Sequence, residues 1–241
     1  MRYGILSDVH SNLEALTAVL KALEKEGADR ILCAGDLVGY GADPSACLSL
    51  IREKVDHVVC GNHDLAVADQ MDLNWFNPPA QTALLWTRQA LTPEERRTLA
   101  DLPFVWRNEQ VTLVHGSLYQ PEQFHYLLDL EAAGLSLQLQ KTPAAFIGHT
   151  HAPGVFIEDQ GRISFHRSSP FPIHPSSKVL VNVGSVGQPR DGDPRAAYCF
   201  YDAEEHSLEI RRVPYPLGET QAKIRAAGLP ESLAQRLAGG Y

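Results

Sequence analysis

Five short apolar runs in this chain each end in a tip of Asp, Asn or His, and that recurrence limits how it can fold. Arg2 to Leu6 leads into Ser7-Asp8-Val9-His10, Arg30 to Ala34 into Gly35-Asp36, and His57 to Cys60 into Gly61-Asn62-His63-Asp64. Val111 to Val114 leads into His115-Gly116-Ser117, and Ala144 to Ile147 into Gly148-His149-Thr150-His151. Between the first runs the period changes to that of helices. Ser11 with Glu14 reads as a capping box, Leu13, Leu16, Val19, Leu20 and Leu23 give one apolar face, and Gly27 stops the helix. Asp43-Pro44 reads as the cap and first residue of the next helix. Strands and helices in alternation predict a parallel sheet with right-handed crossovers, whose ligand sits beyond the carboxyl ends of the strands. The polar tips fall there.

Residues 71–103 read as helical surface, broken at Pro78-Pro79 and restarted by Thr92-Pro93-Glu94-Glu95, with Trp75, Phe76 and Trp86 as packing residues. The texture changes after Pro103, and from Gly154 on closely spaced strands follow: Val155 to Ile157, Arg162 to His166, Val179 to Val183, Ala197 to Tyr201 and Leu208 to Val213. They predict a second sheet, antiparallel or mixed, and the tail from Gly218 reads as a polar helix or two. A length of 241 residues suits one substantial core, so residues 1–241 are expected to form one domain.

Subtracting 29 acidic from 21 basic residues leaves a net charge of −8, which gives no general attraction for nucleic acid or anionic membrane. No apolar run approaches the roughly 20 residues of a membrane span, and the amino terminus enters a strand without a signal-peptide layout. The expected compartment is the cytoplasm. Cys33, Cys47, Cys60 and Cys199 show no CxxC spacing and read as reduced core cysteines.

The tips carry the chemistry. Asp8, His10, Asp36, Asn62, His115, His149 and His151 are candidate metal ligands, and imidazole with carboxylate suits Mn, Fe, Zn, Ni or a related divalent transition ion. Seven candidates exceed the needs of one ion and imply two, with Asp36 as the natural bridge because its two oxygens can be divided. A pair of ions about 3.5–4 Å apart stabilises the entering and leaving oxygens of a phosphoryl displacement, and a water between them becomes the nucleophile. His63 fits the acid that protonates the leaving alkoxide, and Asp64 the residue that holds its ring. Asn62 is also a substrate-binding candidate. His57, His125, His166, His174 and His206 lie outside any motif and read as structural or solvated, with a reservation for His125 in the loop after His115.

Taken together, Asp8-x-His10, Gly35-Asp36, Gly61-Asn62-His63-Asp64, His115-Gly116 and Gly148-His149-Thr150-His151 resemble the motif series of the calcineurin-like metallophosphoesterases. The likeness runs from Asp8 to about Arg195. It implies a two-sheet β-sandwich flanked by helices, an α/β fold of α-β-β-α layering. It also implies one metal held by Asp8, His10, Asp36 and His151, and another by Asp36, Asn62, His115 and His149, with His63 as the acid. The segment Asn182 to Arg190 is similar to the small bacterial phosphodiesterase branch, with Val183 where that branch usually has proline.

The expected activity is hydrolysis of a small phosphate ester, as a phosphodiesterase or nucleotide phosphatase. The same metal site also serves phosphoprotein and dinucleoside polyphosphate phosphatases. A third reading is a non-catalytic, metal-bound interaction scaffold; a retromer coat subunit of that kind lacks the acid histidine, which this chain keeps as His63. Arg190, beyond a Gly-rich stretch, reads either as a fork on the substrate phosphate or as a surface arginine paired with Asp191 or Asp193.

Overall fold

Strands buried on both faces read as continuous apolar runs, and the computed structural model, which describes residues 1–167, 171–174 and 176–241, shows where each face packs. In chain order the first elements are β1 (Arg2–Leu6), α1 (Leu13–Glu26), β2 (Arg30–Cys33), α2 (Pro44–Lys54), β3 (His57–Val58) and α3 (Asn62–Val67). A 3-10 turn at Leu73–Trp75, α4 (Pro78–Ala90) and α5 (Pro93–Ala100) follow, then β4 (Val105–Arg107), β5 (Val111–Val114), a second 3-10 turn at Pro121–Gln123 and α6 (Leu130–Leu139). The remainder is β6 (Ala144–Ile147), β7 (Gly154–Asp159), β8 (Arg162–His166), β9 (Phe171–Pro172), β10 (Lys178–Asn182), β11 (Ala196–Asp202), β12 (Ser207–Val213), α7 (Leu217–Ala226) and α8 (Glu231–Gly239).

Two six-stranded sheets result, ordered β3-β2-β1-β11-β12-β9 and β4-β5-β6-β10-β7-β8. Strands β1, β2 and β3 run parallel, as do β5, β6 and β10. Successive side chains alternate between faces. Tyr3 and Ile5 of β1 therefore meet Leu113, Phe146 and Val181 of the other sheet in a central core. Leu6 points the other way, onto Leu16, Val19, Leu20 and Leu23 of α1. Each such side chain, when fully buried, contributes about 1.5–3 kcal/mol. On the far side, Val114, Ala145, Ile147 and Leu180 pack on Ala133 and Leu137 of α6. The layers are helix, sheet, sheet, helix, as expected.

Several local expectations change. The cap of α1 is Asn12, whose side chain accepts from Ala15 N; Ser11 stays outside the helix with φ 55°, and Glu14 turns instead to Lys223 and Thr220. Pro78 starts α4 rather than breaking it. Strand β4 forms where no element was expected, and helix α6 in the stretch after His115 expected to be loop. Strands β11 and β12 leave the second sheet and complete the first, β11 antiparallel to β1 and β12 antiparallel to β11. The four cysteines are buried and free. Among the described residues, no helix is long and apolar enough to cross a membrane.

Candidate active site

Backbone strain marks the place where the strand tips converge. Asp8 (φ 54°), His10 (φ 49°), Asp36 (φ 53°), His149 (φ 67°) and His151 (φ 60°) all occupy the left-handed region that side chains other than glycine avoid. Each such residue costs about 1–3 kcal/mol, which surrounding structure must offset. Backbone bonds between the tips supply the restraint: Asp8 N donates to Gly35 O (2.9 Å), and His10 N to Asp36 O (3.0 Å). Two glycines allow the close approach. A Cβ on Gly61 would collide with Asp36 Oδ1, and one on Gly148 with Asp8 Oδ2 and Ser7 Oγ.

The side chains form two groups joined at one carboxylate. Ligand atoms of Asp8, His10, Asp36 and His151 lie within 4.8 Å of one another, and so do those of Asp36, His115 and His149. All of these residues are buried. Three rings are oriented from behind: Nδ1 of His10 is 3.0 Å from Val38 O, that of His115 2.6 Å from Ala34 O, and that of His151 2.6 Å from Gln188 O. A carbonyl only accepts, so each Nδ1 carries a proton and Nε2 is the atom turned inward.

The Nε2 atoms of His10 and His151 then face each other at 3.1 Å, with Asp8 Oδ1 also 3.1 Å from His151 Nε2. Two lone pairs and a carboxylate at this separation require a shared cation, or a proton taken up by one ring. In the second group, His115 Nε2, His149 Nε2 and Asn62 Oδ1 are buried without a hydrogen-bond partner. Orphaned acceptors of this kind cost about 1–3 kcal/mol each unless something binds them. The donor set fits divalent transition ions.

The electrostatics express the same shortage of positive charge. Burial alone would raise Asp36, but His115 and His63 hold it well below the usual carboxylate range. Burial would likewise lower His115, yet Asp36, 3.3 Å away, pushes it up to about 9. His149 falls to about 3 through burial and the neighbouring His115.

A profile of the calcineurin-like phosphoesterase superfamily domain matches residues 1–206. The chain belongs to that superfamily. The uncharacterized protein MJ0912 of Methanocaldococcus jannaschii is 37% identical over 238 residues, spanning 97% of this chain and 96% of that one. Phosphodiesterase YfcE of Escherichia coli strain K12 is 26% identical over 219 residues, 86% of this chain and 91% of its own length. The crystal structure of a metallophosphoesterase from Sphaerobacter thermophilus superposes with a TM-score of 0.89 at 39% identity, covering 100% of this chain and 99% of its own. These relatives support a phosphoesterase hydrolase, and the buried Asp/His cluster is its candidate divalent-metal site.

Around this phosphoesterase cluster the structure corrects one residue and brings in others. Asp64 does not hold the His63 ring. Its Oδ1 accepts from Leu37 N (2.8 Å) and Val38 N (3.3 Å), its Oδ2 from Gly61 N (3.0 Å), and His63 Nδ1 is left without a partner. Burial, then the neighbouring Asp36, push Asp64 up to about 7. His63 lies beside the cluster, its ring 4.8 Å from that of His10, and burial lowers it to about 4.

Arg190 is paired with neither Asp191 nor Asp193, which bind Arg212 and Arg195. Its guanidinium donates to Gln188 Oε1 (2.8 Å) and to the hydroxyl of Tyr40 (3.3 Å), beside the cluster. Tyr40 escaped the sequence reading although its ring is 4.5 Å from that of His63; its place in the loop after Asp36 was the only signal. Phe76 packs against the core as expected, whereas Trp75 is exposed, and both line a cleft that reaches Asn62 and His149 together with Phe124, His125 and Tyr126.

Proposed function

We propose that this chain is a metal-dependent phosphodiesterase that binds two divalent transition ions. The observation that carries the reading is the shared Asp36: it belongs to both groups of inward-facing ligand atoms. Asp8, His10, Asp36 and His151 would hold one ion, and Asp36, Asn62, His115 and His149 the other. When bound, the ions would supply Lewis acidity to the phosphoryl oxygens and lower the pKa of a water so that it attacks phosphorus at neutral pH.

The chain's own residues do the rest. Asp36 turns Oδ2 toward both ligand groups, 3.6 Å from His10 Nε2 and 3.3 Å from His115 Nε2, while its Oδ1 accepts from His63 N at 2.9 Å, which fixes the start of α3. His63, its ring set against those of His10 and Tyr40, serves as the proton donor to the leaving oxygen. Burial disfavours its charged form, and an arriving phosphate anion restores it. Arg190, steadied by Gln188 and Tyr40, offers a planar fork to the substrate phosphate.

The test is to strip the protein of metal and reload it with Mn, Fe, Zn or Ni. Ions per chain and hydrolysis of a matched diester and monoester are then measured. Two ions per chain and a metal-dependent preference for the diester are expected. One tightly held ion with all ligands intact would count against the paired site, and a monoester preference against the diesterase.

A further inference from the structure

We propose that the aromatic cleft beside the candidate metal cluster holds a planar heterocyclic ring, so that the preferred substrates are nucleotidyl esters. This rests on the phosphodiesterase reading. The cleft has a volume of about 260 Å³ and begins at two candidate ligands, Asn62 and His149. A group entering it is therefore attached to, or one sugar away from, the phosphorus under attack.

Its walls come from two loops that bring rings together. One, with the 3-10 turn at Leu73–Trp75, supplies Trp75 and Phe76; the other, around the turn at Pro121–Gln123, supplies Phe124 and Tyr126. Trp75 is 77% exposed and Tyr126 51%, so large rings stand in water at the mouth of a catalytic cluster. A single exposed ring needs no explanation; two converging on one cleft do.

The second loop is also strained to reach this shape. Gln120 (φ 48°) and Phe124 (φ 50°) flank the turn in the left-handed region, and for a bulky residue such as Phe124 that is an outlier. The result is that Tyr126 lies flat on the His149 ring, with centroids 3.9 Å apart and planes 21° apart. Two rigid rings give a flat ligand a stacking surface at little cost in side-chain entropy. His125 and Gln123 in the same lining add donors and acceptors suited to ring heteroatoms.

An alkyl or glyceryl group would use neither the flat faces nor those edges. A long nucleic acid is the poorer occupant. Strand-binding grooves pair stacking rings with positive charge along the backbone, whereas this chain carries a net charge of −8.

The experiment compares two diesters that share one ester group and differ in the other, a nucleoside or glycerol. The wild-type metal-loaded enzyme should prefer the nucleotidyl ester in kcat/KM. Trp75→Ala should reduce that preference roughly 10- to 100-fold, the loss expected for one stacking partner, and Trp75→Phe should keep most of it. Without relying on turnover, a nucleoside monophosphate titrated into metal-free protein should quench tryptophan emission, and Trp75→Phe should abolish the quench.

Equal losses on both diesters, or none, would overturn the proposal. So would a quench that survives in Trp75→Phe, or sedimentation showing Trp75 covered by a second copy of the chain. A Trp75-dependent quench without hydrolysis of either ester would sink the phosphodiesterase reading and keep the cleft.

Discussion

His63 and Asp64 are neighbours in sequence with opposite surroundings, and the helix they open explains why. Residues i and i+1 of a helix do not face each other, so in α3 (Asn62–Val67) the carboxylate turns back to the helix start while the imidazole faces the ligands. Two predictions separate them. His63→Ala should retain its metals and lose roughly 10²–10⁴-fold in rate, less for a leaving group that needs no proton, such as a nitrophenol. Equal losses for good and poor leaving groups would remove the acid role. Asp64→Ala strands three buried N–H donors and should cost about 2–5 kcal/mol of stability by urea unfolding. Its dependence on leaving group should stay that of the wild type. The metal-ligand candidates were legible because each sits at the tip of a readable strand. The direction of Asp64 was not, because the motif's carboxylate was read without its helix. Tyr40 stayed hidden because a tyrosine in a glycine-rich loop has no periodicity to betray its partner.

At the scale of elements, the carboxyl-terminal helices do more than close the chain. Leu233 and Leu237 of α8 and Ile224 of α7 pack with Tyr40 and with Ala80 and Ala83 of α4, so the tail backs the loop that follows Asp36. Lys223 of α7 binds Glu14 of α1 and, at 2.7 Å, Asp43 at the start of α2. Burial would raise the pKa of Glu14, but the hydrogen bonds from Lys223, from its own backbone and from Thr220, with the Lys223 charge, together outweigh it and leave the carboxyl below its usual range. Lys223 is raised by the same carboxylates against its own burial. The signs set a window. The Glu14 contribution is full above the ordinary glutamate pKa of about 4.3 and is lost as pH falls through the lowered folded value. The Lys223 contribution is full below about 10.4 and is lost as pH rises through the raised folded value. Lys223→Ala should therefore cost about 1 kcal/mol at neutral pH, a fall of roughly 2–4 °C in Tm, and progressively less as pH falls below about 4.3 toward about 3. A loss that is the same at both pH values would refute the ion-pair account. The sequence showed these helices as polar and unremarkable, since a cross-chain lysine looks like any solvated one until its partners are placed. Alternating strands and their helical caps were readable because their signals are local. The return of β11 and β12 to the first sheet was not, because the pairing of β11 with β1 spans most of the chain.

For the whole molecule, the cluster is a stability problem as well as a functional site. Asp8, Asp36, His10, His115, His149 and His151 are withdrawn from water, and several of their inward atoms lack partners. Most of these residues also stand in left-handed conformations. Bound cations neutralise the carboxylates and occupy the orphaned acceptors in the folded state alone, so metal should raise stability by mass action. One site at a hundred times its dissociation constant adds about 2.7 kcal/mol, and a second adds a similar amount. For a chain of this length that corresponds to a rise in Tm of roughly 5–10 °C per site. Calorimetry of metal-stripped protein titrated with Mn²⁺ should show such a rise, with a magnesium control giving less because magnesium disfavours imidazole. His10→Ala should remove one part of the rise. Asp36→Asn should remove most of it, since that side chain belongs to both ligand groups. Should Asp36→Asn and His10→Ala lose the same share, the shared-carboxylate reading fails and two independent sites, or one, must replace it.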